Sequence, residues 1–167
     1  MSVVRIVKLV SLIIIVIMII ASFIAKKSAQ KNLWKQDDNA VFEYVYDKLC
    51  AKSDYGHDLS QLNDHEQVFM AMALIAVEVN NGGFDQLFFN KGSRWNDILV
   101  PAAKAIKAYE VAEICKKAVE IYNQHTDQGD IIEELNECDD EFYNCNDPYM
   151  ALIVQYARNN KEFFKIK

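Results

Sequence analysis

The sequence predicts an all-α fold, in which a compact multi-helix domain over residues 37–167 follows a single transmembrane helix within residues 1–36. Three observations predict it. Apolar residues of the domain recur at spacings of three and four, as on the buried face of a helix. No stretch alternates apolar and polar residues as a half-buried strand does. Residues 9–25 carry no charge and are mostly Ile, Val and Leu, which is typical of a membrane span.

The apolar N-terminal segment extends over residues 3–25, because Arg5 and Lys8 can direct their charges to the membrane interface. That length crosses about 30 Å of hydrocarbon. A cleaved signal peptide is the alternative, but its apolar region is shorter and ends in small residues, whereas Phe23 stands two positions before Ala25. We therefore expect an uncleaved, single-pass anchor in the cell membrane. Four Lys follow the span and two cationic residues precede it, so the positive-inside rule predicts a cytoplasmic domain, with an exported domain as the alternative.

The first helix of the domain is predicted over residues 39–51, with Asp37 or Asp38 as its N-cap. A loop rich in turn-forming residues follows over residues 53–63. The apolar face of this helix is predicted to contain Val41, Tyr44, Val45 and Leu49.

The most uniformly apolar part of the domain runs from Val68 to Val79, with one acidic exception. A helix that is apolar on every side belongs in the middle of a bundle. Its N-cap is expected to be Asn63 or Asp64, and Gln67 stands three residues after Asp64, as in a capping box.

A corner is predicted where this central helix meets Gly82 and Gly83, since glycine adopts the left-handed conformation of a helix C-cap. A hydrophobic contact from Phe84 back to the last turn would complete the cap. We expect the acidic exception, Glu78, to face solvent near the helix end; the alternative is burial with a partner such as Arg94. A short second helix is predicted from the spacing of Phe84, Leu87 and Phe88.

After the corner we expect a loop over residues 91–96 and a helix that begins near Asp97, with Pro101 in its first turn. A continuous helix is then predicted over residues 102–125, and residues 126–129 break it. The apolar face of this helix consists of Val111, Ile114, Cys115, Ala118 and Tyr122.

Two helical segments complete the predicted domain. In the first, Asp139 is an alternative N-cap that would divide the segment. The second has Asp147 as its N-cap and Pro148 at its first position. The apolar spacing is carried by Ile131, Leu135, Cys138 and Phe142 in the first segment and by Tyr149, Leu152, Ile153 and Tyr156 in the second.

Sequence motifs for a nucleotide-binding glycine loop, a P-loop, a serine-hydrolase turn and a zinc peptidase are all missing, so we expect no enzymatic activity and no cofactor. The histidines and acids around residues 57–66 match no metal-ligand spacing, and a metal hydrolase that uses His57, His65 and Glu66 is the least favoured hypothesis. The cysteines form no CxxC pair, and we expect reduced thiols. The metal candidates are His57, Asp58, His65 and Glu66, and the cysteines are Cys50, Cys115, Cys138 and Cys145.

Charge divides the chain sharply. All 24 acidic residues lie in residues 37–167, together with 12 of the 18 Lys and Arg. This part therefore carries a net charge of −12, whereas the whole chain carries −6. Such a domain should be repelled by nucleic acid and attracted to basic partners. From Ala118 to Ala157 ten acids occur and no Lys or Arg. Asp127, Asp130 and Glu133 do not follow the ligand order of an EF-hand, which argues against calcium.

An acidic surface of this extent presents carboxylates much as DNA presents phosphates, and could occupy a basic groove on a nucleic-acid-binding protein. We therefore predict a partner-binding acidic set, which comprises Asp130, Glu133, Glu134, Glu137, Asp139, Asp140 and Glu141.

Residues 81–90 resemble the N-G-G-F/L-x-Q-F/Y-F-x-N signature of the bacterial DNA-mimic protein family of DMP type, and residues 102–108 and 135–143 resemble later family elements. The resemblance covers roughly residues 38–165. It implies an all-helical domain that can dimerise and whose acidic surface stands in for DNA to engage a transcription factor. The family is chiefly soluble, so the anchor would be an addition. The signature residues, which look like fold determinants, are Asn81, Gly82, Gly83, Phe84, Gln86, Phe88, Phe89 and Asn90.

Two functional hypotheses therefore stand beside the metal hydrolase. The first is a membrane-anchored, non-enzymatic interaction protein that binds a basic protein surface. The alternative is an envelope or immunity-type binding module, with the domain outside the cell and its cysteines paired.

Overall fold

The computed structural model describes residues 14–21, 33–124 and 132–164. The chain divides into two compact units, Met1–Ala40 and Val41–Lys167. Within the first unit, residues 14–21 are helical, and the other residues of the predicted 3–25 anchor lie outside the described part. No helix among the described residues combines the length and the apolar composition needed to cross a membrane. Asp37 caps the helix that follows, since its Oδ1 accepts a hydrogen bond from the Ala40 amide at 3.0 Å.

The described residues are helical with short connections and contain no strand, which confirms the all-α prediction. Short 3₁₀ turns lie at Leu59–Gln61 and Gly92–Trp95, and a π-helical turn at Ile75–Val79. The α-helices are α1 (Asp38–Ser53), α2 (Asp64–Leu74), α3 (Asn80–Lys91), α4 (Asn96–Ala105), α5 (Tyr109–Gln124), α6 (Ile132–Tyr143) and α7 (Tyr149–Asn159).

Helix α2 is the central helix of the second unit, as its all-round apolar sequence predicts. Residues 69–75 are fully buried, and α2 contacts α4 and α7 while the π-helical turn joins it to α3. Its capping box uses Asn63 and Glu66, so the predicted Asp64–Gln67 box is wrong. The Gln67 side chain instead donates to backbone carbonyls of the preceding loop.

The predicted corner is a kink between the π-helical turn and the body of α3. Gly82 (φ −163°, ψ 27°) and Gly83 (φ 76°, ψ −177°) both leave the helical conformation, after which the helix resumes at once. Gly83 has the positive φ that favours glycine, but its ψ lies outside the left-handed helical region, so the predicted C-cap is wrong in detail. Phe84, Leu87 and Phe88 are buried, which confirms the second helix and its inward face.

Helix α1 buries a different arc from the predicted one. Val41, Val45 and Leu49 are buried as expected, whereas Tyr44 is 40% exposed and Phe42 and Cys50 complete the face. The buried arc therefore extends from Val41 towards Cys50, on the side away from Tyr44. Phe42 and Tyr44 lie on opposite sides of the same apolar stripe, and periodicity alone does not show which of the two is buried.

The predicted helix over residues 102–125 is two helices. Helix α4 ends at Ala105, and Lys107 takes the left-handed conformation (φ 68°). The amides of Lys107 and Ala108 bond the carbonyls of Lys104 and Ala103, which is a Schellman cap with lysine where glycine is usual. The sequence therefore shows no glycine signal there. Pro101 is the sixth residue of α4 rather than part of its first turn, a second correction.

The last two helices differ from expectation in their caps. Helix α6 runs unbroken through Asp139, so the alternative cap there is wrong. Pro148 occupies the N-cap of α7, and the Asp147 carboxylate accepts a hydrogen bond from the Val111 amide at 3.0 Å, so it caps α5 rather than α7. The expected loop at residues 91–96 is the end of α3 and a 3₁₀ turn. The predicted break at 126–129 and Ile131 lie outside the described residues.

Candidate functional site

Helix α6 presents most of the acidic set on its outer face. Its inner face is buried, through Leu135, Cys138 and Phe142, as the spacing predicts. Most of its acidic positions therefore point outward. Asp130 lies outside the described residues. The exposed acids of α6 are Glu133, Glu134, Glu137, Asp140 and Glu141.

One cation from α5 contacts this acidic face. The Lys117 ammonium lies 2.8 Å from Glu141 and 3.6 Å from Glu137. The hydrogen bond from Lys117 to Glu141 raises the pKa of the lysine. The acidic run from Ala118 to Ala157 contains no Lys or Arg, but the folded chain brings Lys117 against it because α5 packs against α6. Sequence reasoning missed this contact since Lys117 precedes the acidic run by one residue.

Asp139 differs from the other members of the acidic set. Its Oδ1 accepts a hydrogen bond from the backbone amide of Phe84 at 2.7 Å, and the residue is half-buried. Burial raises the pKa of this carboxyl, and the negative charges of Asp140 and Asp85 raise it further. The hydrogen bond from the Phe84 amide lowers the pKa, but does not offset these effects. The structure therefore places Asp139 between α6 and the kink rather than on the outer acidic surface.

A shallow groove of about 460 Å³ lies between the start of α5 and the end of α6. Tyr109 at its edge is 61% exposed, and the Glu110 carboxylate accepts a hydrogen bond from the Asn146 amide at 2.7 Å. Sequence reasoning missed the α5 acids, although Glu110 and Glu113 lie outside the apolar face of that helix. The groove is lined by Tyr109, Glu110, Glu113, Ile114, Glu141, Asn144 and Cys145.

A second polar cluster surrounds Glu78, which is buried at 9% exposure, so the expected solvent-facing position is wrong. Its Oε2 accepts hydrogen bonds from Gln86 at 2.9 Å and Asn90 at 2.8 Å, and its Oε1 lies 3.5 Å from the Lys91 ammonium. Burial raises the pKa of Glu78, but these donors and the lysine charge outweigh it and lower the pKa overall. Arg94, named as a partner from the sequence, instead donates to the Lys91 carbonyl at 2.6 Å.

The signature residues divide between the kink and this cluster. Gly82 and Gly83 form the kink, and Phe84 and Phe88 are buried beyond it. Phe89 is 73% exposed. The polar residues of the signature lie around the carboxylate of Glu78. Gln86 and Asn90 donate hydrogen bonds directly to it. The Asn81 side chain donates a hydrogen bond to the Gln86 side chain at 3.4 Å.

The residues of the metal hypothesis make separate structural contacts. Glu66 pairs with Lys52 at 2.5 Å and completes the α2 cap. His65 contacts the Tyr156 hydroxyl at 2.8 Å. Asp58 caps the first 3₁₀ turn, while His57 lies beside Arg94. Among the described residues no group of three His, Cys, Asp or Glu side chains is arranged to hold a metal ion.

All four cysteines are free thiols. Cys50, Cys115 and Cys138 are buried, and Cys145 is half-buried beside the groove. Burial raises the pKa of Cys138 to about 11, so its thiol stays protonated near neutral pH. The paired cysteines of the envelope alternative are not present in this fold.

Comparison with known protein families gives a match in the helical domain. A family described as DMP19-like protein matches residues 60–160, which is more than half of the chain. The matched span is narrower than the resemblance over residues 38–165, and it includes both the signature at 81–90 and the segment at 135–143. Comparisons with curated proteins and with solved structures found no match.

Proposed function

The chain belongs to the DMP19-like protein family, and on that premise we propose that it is a non-enzymatic interaction protein whose acidic helical surface mimics DNA. The partner we propose is a basic protein, such as a DNA-binding transcription factor. The observation that carries the proposal is the outer face of α6, where Glu133, Glu134, Glu137, Asp140 and Glu141 are exposed side by side.

Electrostatics favours a basic partner over nucleic acid for this face. Its carboxylates would be repelled by phosphates and would steer a cationic surface into contact, with an attraction that salt weakens. Lys117 neutralises part of this charge near Glu137 and Glu141.

The groove beside α6 suits the side chains of such a partner. Its lining includes Ile114 and Cys145, against which the methylene stem of an arginine or lysine can pack. Glu113 and Glu141 at the groove can then pair with the cationic group. We propose that a basic residue of the partner occupies this groove while its neighbours contact α6.

Neutralising the outer face should abolish most of the binding. A variant with Glu133, Glu134, Glu137 and Glu141 changed to Gln and Asp140 changed to Asn should bind a helical peptide with arginine on one face at least about tenfold more weakly, or about 1.4 kcal/mol. Fluorescence anisotropy of the labelled peptide measures this, and wild-type binding should weaken steeply as salt rises. A pull-down from lysate with both proteins then identifies the natural partner.

The control removes the same number of charges elsewhere. Exposed acids outside α6 and the groove can be changed to the matching amides, namely Glu43, Asp47, Asp54, Asp97 and Glu162. This variant should keep most of the affinity. If both variants lose affinity equally, net charge rather than the α6 face drives binding, and the proposed site is wrong.

We also propose that residues 3–25 anchor the protein in the cell membrane with its domain in the cytoplasm. The proposal is supported by the described helix at 14–21, where every large apolar side chain is exposed to solvent. Burying such a surface in lipid is favourable at roughly 25 cal/mol per Å². The side chains concerned are Ile14, Ile15, Val16, Ile17, Met18, Ile19 and Ile20.

Reporter fusions test this topology. A fluorescent protein fused after Lys167 should fluoresce in the membrane fraction, whereas alkaline phosphatase at the same position should be inactive. Deletion of residues 1–36 should move the fluorescent fusion to the soluble fraction. Active phosphatase would instead place the domain outside the cytoplasm, as the envelope alternative requires.

A further inference from the structure

We propose that Asp139 is a positioning residue rather than part of the contact surface: its side-chain oxygen holds α6 against the Gly82–Gly83 kink, and partner binding needs this acceptor but not its charge. The inference rests on the proposed function, in which α6 carries the contacts. It separates Asp139 from neighbours that sequence alone places in the same acidic set.

The Phe84 amide lies where a helix needs a hydrogen-bond acceptor from outside the helix. Helical structure resumes after Gly83, and the first amides of a helix have no partner within the helix. The Asp139 Oδ1 supplies that partner at 2.7 Å, as an N-cap side chain would, although it comes from a helix 55 residues away in the sequence.

One face of α6 contacts both sides of the kink. Before it, the Val79 carbonyl accepts a hydrogen bond from the Tyr143 hydroxyl at 2.7 Å. After it, the ring of Phe84 meets that of Phe142 edge-on, with centroids 6.1 Å apart. Asp139, Phe142 and Tyr143 are spaced at i, i+3 and i+4, so they share a face. The direction of α6 is therefore tied to the shape of the kink.

The Asp139 carboxylate approaches Gly83 closely. A Cβ atom added there would lie 2.8 Å from the Asp139 Cγ and closer still to its Oδ2. The absence of a side chain at this position is what lets the carboxylate reach the Phe84 amide. Burial also raises the pKa of Asp139, so a neutral acceptor of the same size suits this environment.

Two substitutions separate the acceptor from the charge. Asp139→Asn keeps an oxygen in place and removes the charge, whereas Asp139→Glu keeps the charge and displaces the oxygen by one methylene. Asp140→Asn is the matched control, since Asp140 is the adjacent exposed residue of the same type. The readouts are hydrogen exchange of the Phe84 amide and binding of the arginine-faced helical peptide.

We expect Asp139→Asn to keep Phe84 protection and peptide affinity within about twofold, and Asp139→Glu to lower both by about fivefold or more. Asp140→Asn should leave Phe84 protection unchanged while weakening peptide binding. Two results would overturn the proposal. In the first, Asp139→Asn loses as much peptide affinity as Asp140→Asn while the Phe84 amide stays protected from exchange. In the second, Asp139→Glu leaves the protection of the Phe84 amide intact. Hydrogen exchange does not depend on the peptide, so it tests this contact even if neutralising the α6 face shows that the proposed function is wrong.

Discussion

Gly83→Ala should lower the free energy of unfolding by about 4 kcal/mol, roughly twice the cost of Gly92→Ala. Both glycines have positive φ, at 76° and 61°, so both substitutions introduce backbone strain. They differ in their surroundings, since a Cβ at Gly83 overlaps the Asp139 carboxylate whereas one at Gly92 meets nothing within 4 Å. Urea denaturation followed by circular dichroism measures both values.

A double-mutant cycle identifies the cause of the larger effect. If the overlap with Asp139 is responsible, the excess cost of Gly83→Ala over Gly92→Ala should shrink to below about 1 kcal/mol when Asp139 is changed to Ala. An excess that is unchanged in that background would show that the clash is not the reason. Equal costs for the two single glycine variants would also contradict the close approach at the kink.

The helical architecture was predictable because apolar periodicity reports burial directly. The buried stretch that begins after Val68 follows from its uniformly apolar sequence, and the buried Phe84 and Phe88 and the inward face of α6 follow from spacing. The errors occur where long-range packing decides the local conformation. Lys107 takes the left-handed position of a Schellman cap, and Asp147 caps α5 from a distant loop, although neither leaves a local sequence signal.

The candidate site was predictable only in part, for the same reason. The exposed acids of α6 follow from the inward spacing of Leu135, Cys138 and Phe142. A charge run in the sequence does not show what packs against it, so the contact from Lys117 and the buried role of Asp139 were both missed. The donors to Glu78 come from α3, on the far side of the kink, and no local rule connects them to the π-helical turn that contains Glu78.

Replacing Glu78 by Gln should lower the free energy of unfolding at neutral pH by about 3 kcal/mol. The reason is the Lys91 ammonium, whose side chain is 8% exposed and would lose its counter-charge at 3.5 Å. Glu43→Gln on the exposed face of α1 is the control, and should change stability by less than about 0.5 kcal/mol. If the Glu78 and Glu43 variants were equally stable, the buried pair would contribute little.

The pH dependence of this difference provides a stricter test. The pKa of Glu78 in the folded protein lies below its ordinary value of 4.5, so both states are ionised at neutral pH and the stabilisation is fully present. As pH falls below about 4.5, the unfolded state takes up the proton first, and the stabilisation is lost by the time the pH passes the folded-state pKa. The difference in unfolding free energy between wild type and Glu78→Gln should therefore narrow steadily in acid, while the Glu43→Gln difference stays near zero. A difference that is constant from neutral to acidic pH would mean that the hydrogen bonds from Gln86 and Asn90 stabilise the cluster without the charge of Glu78.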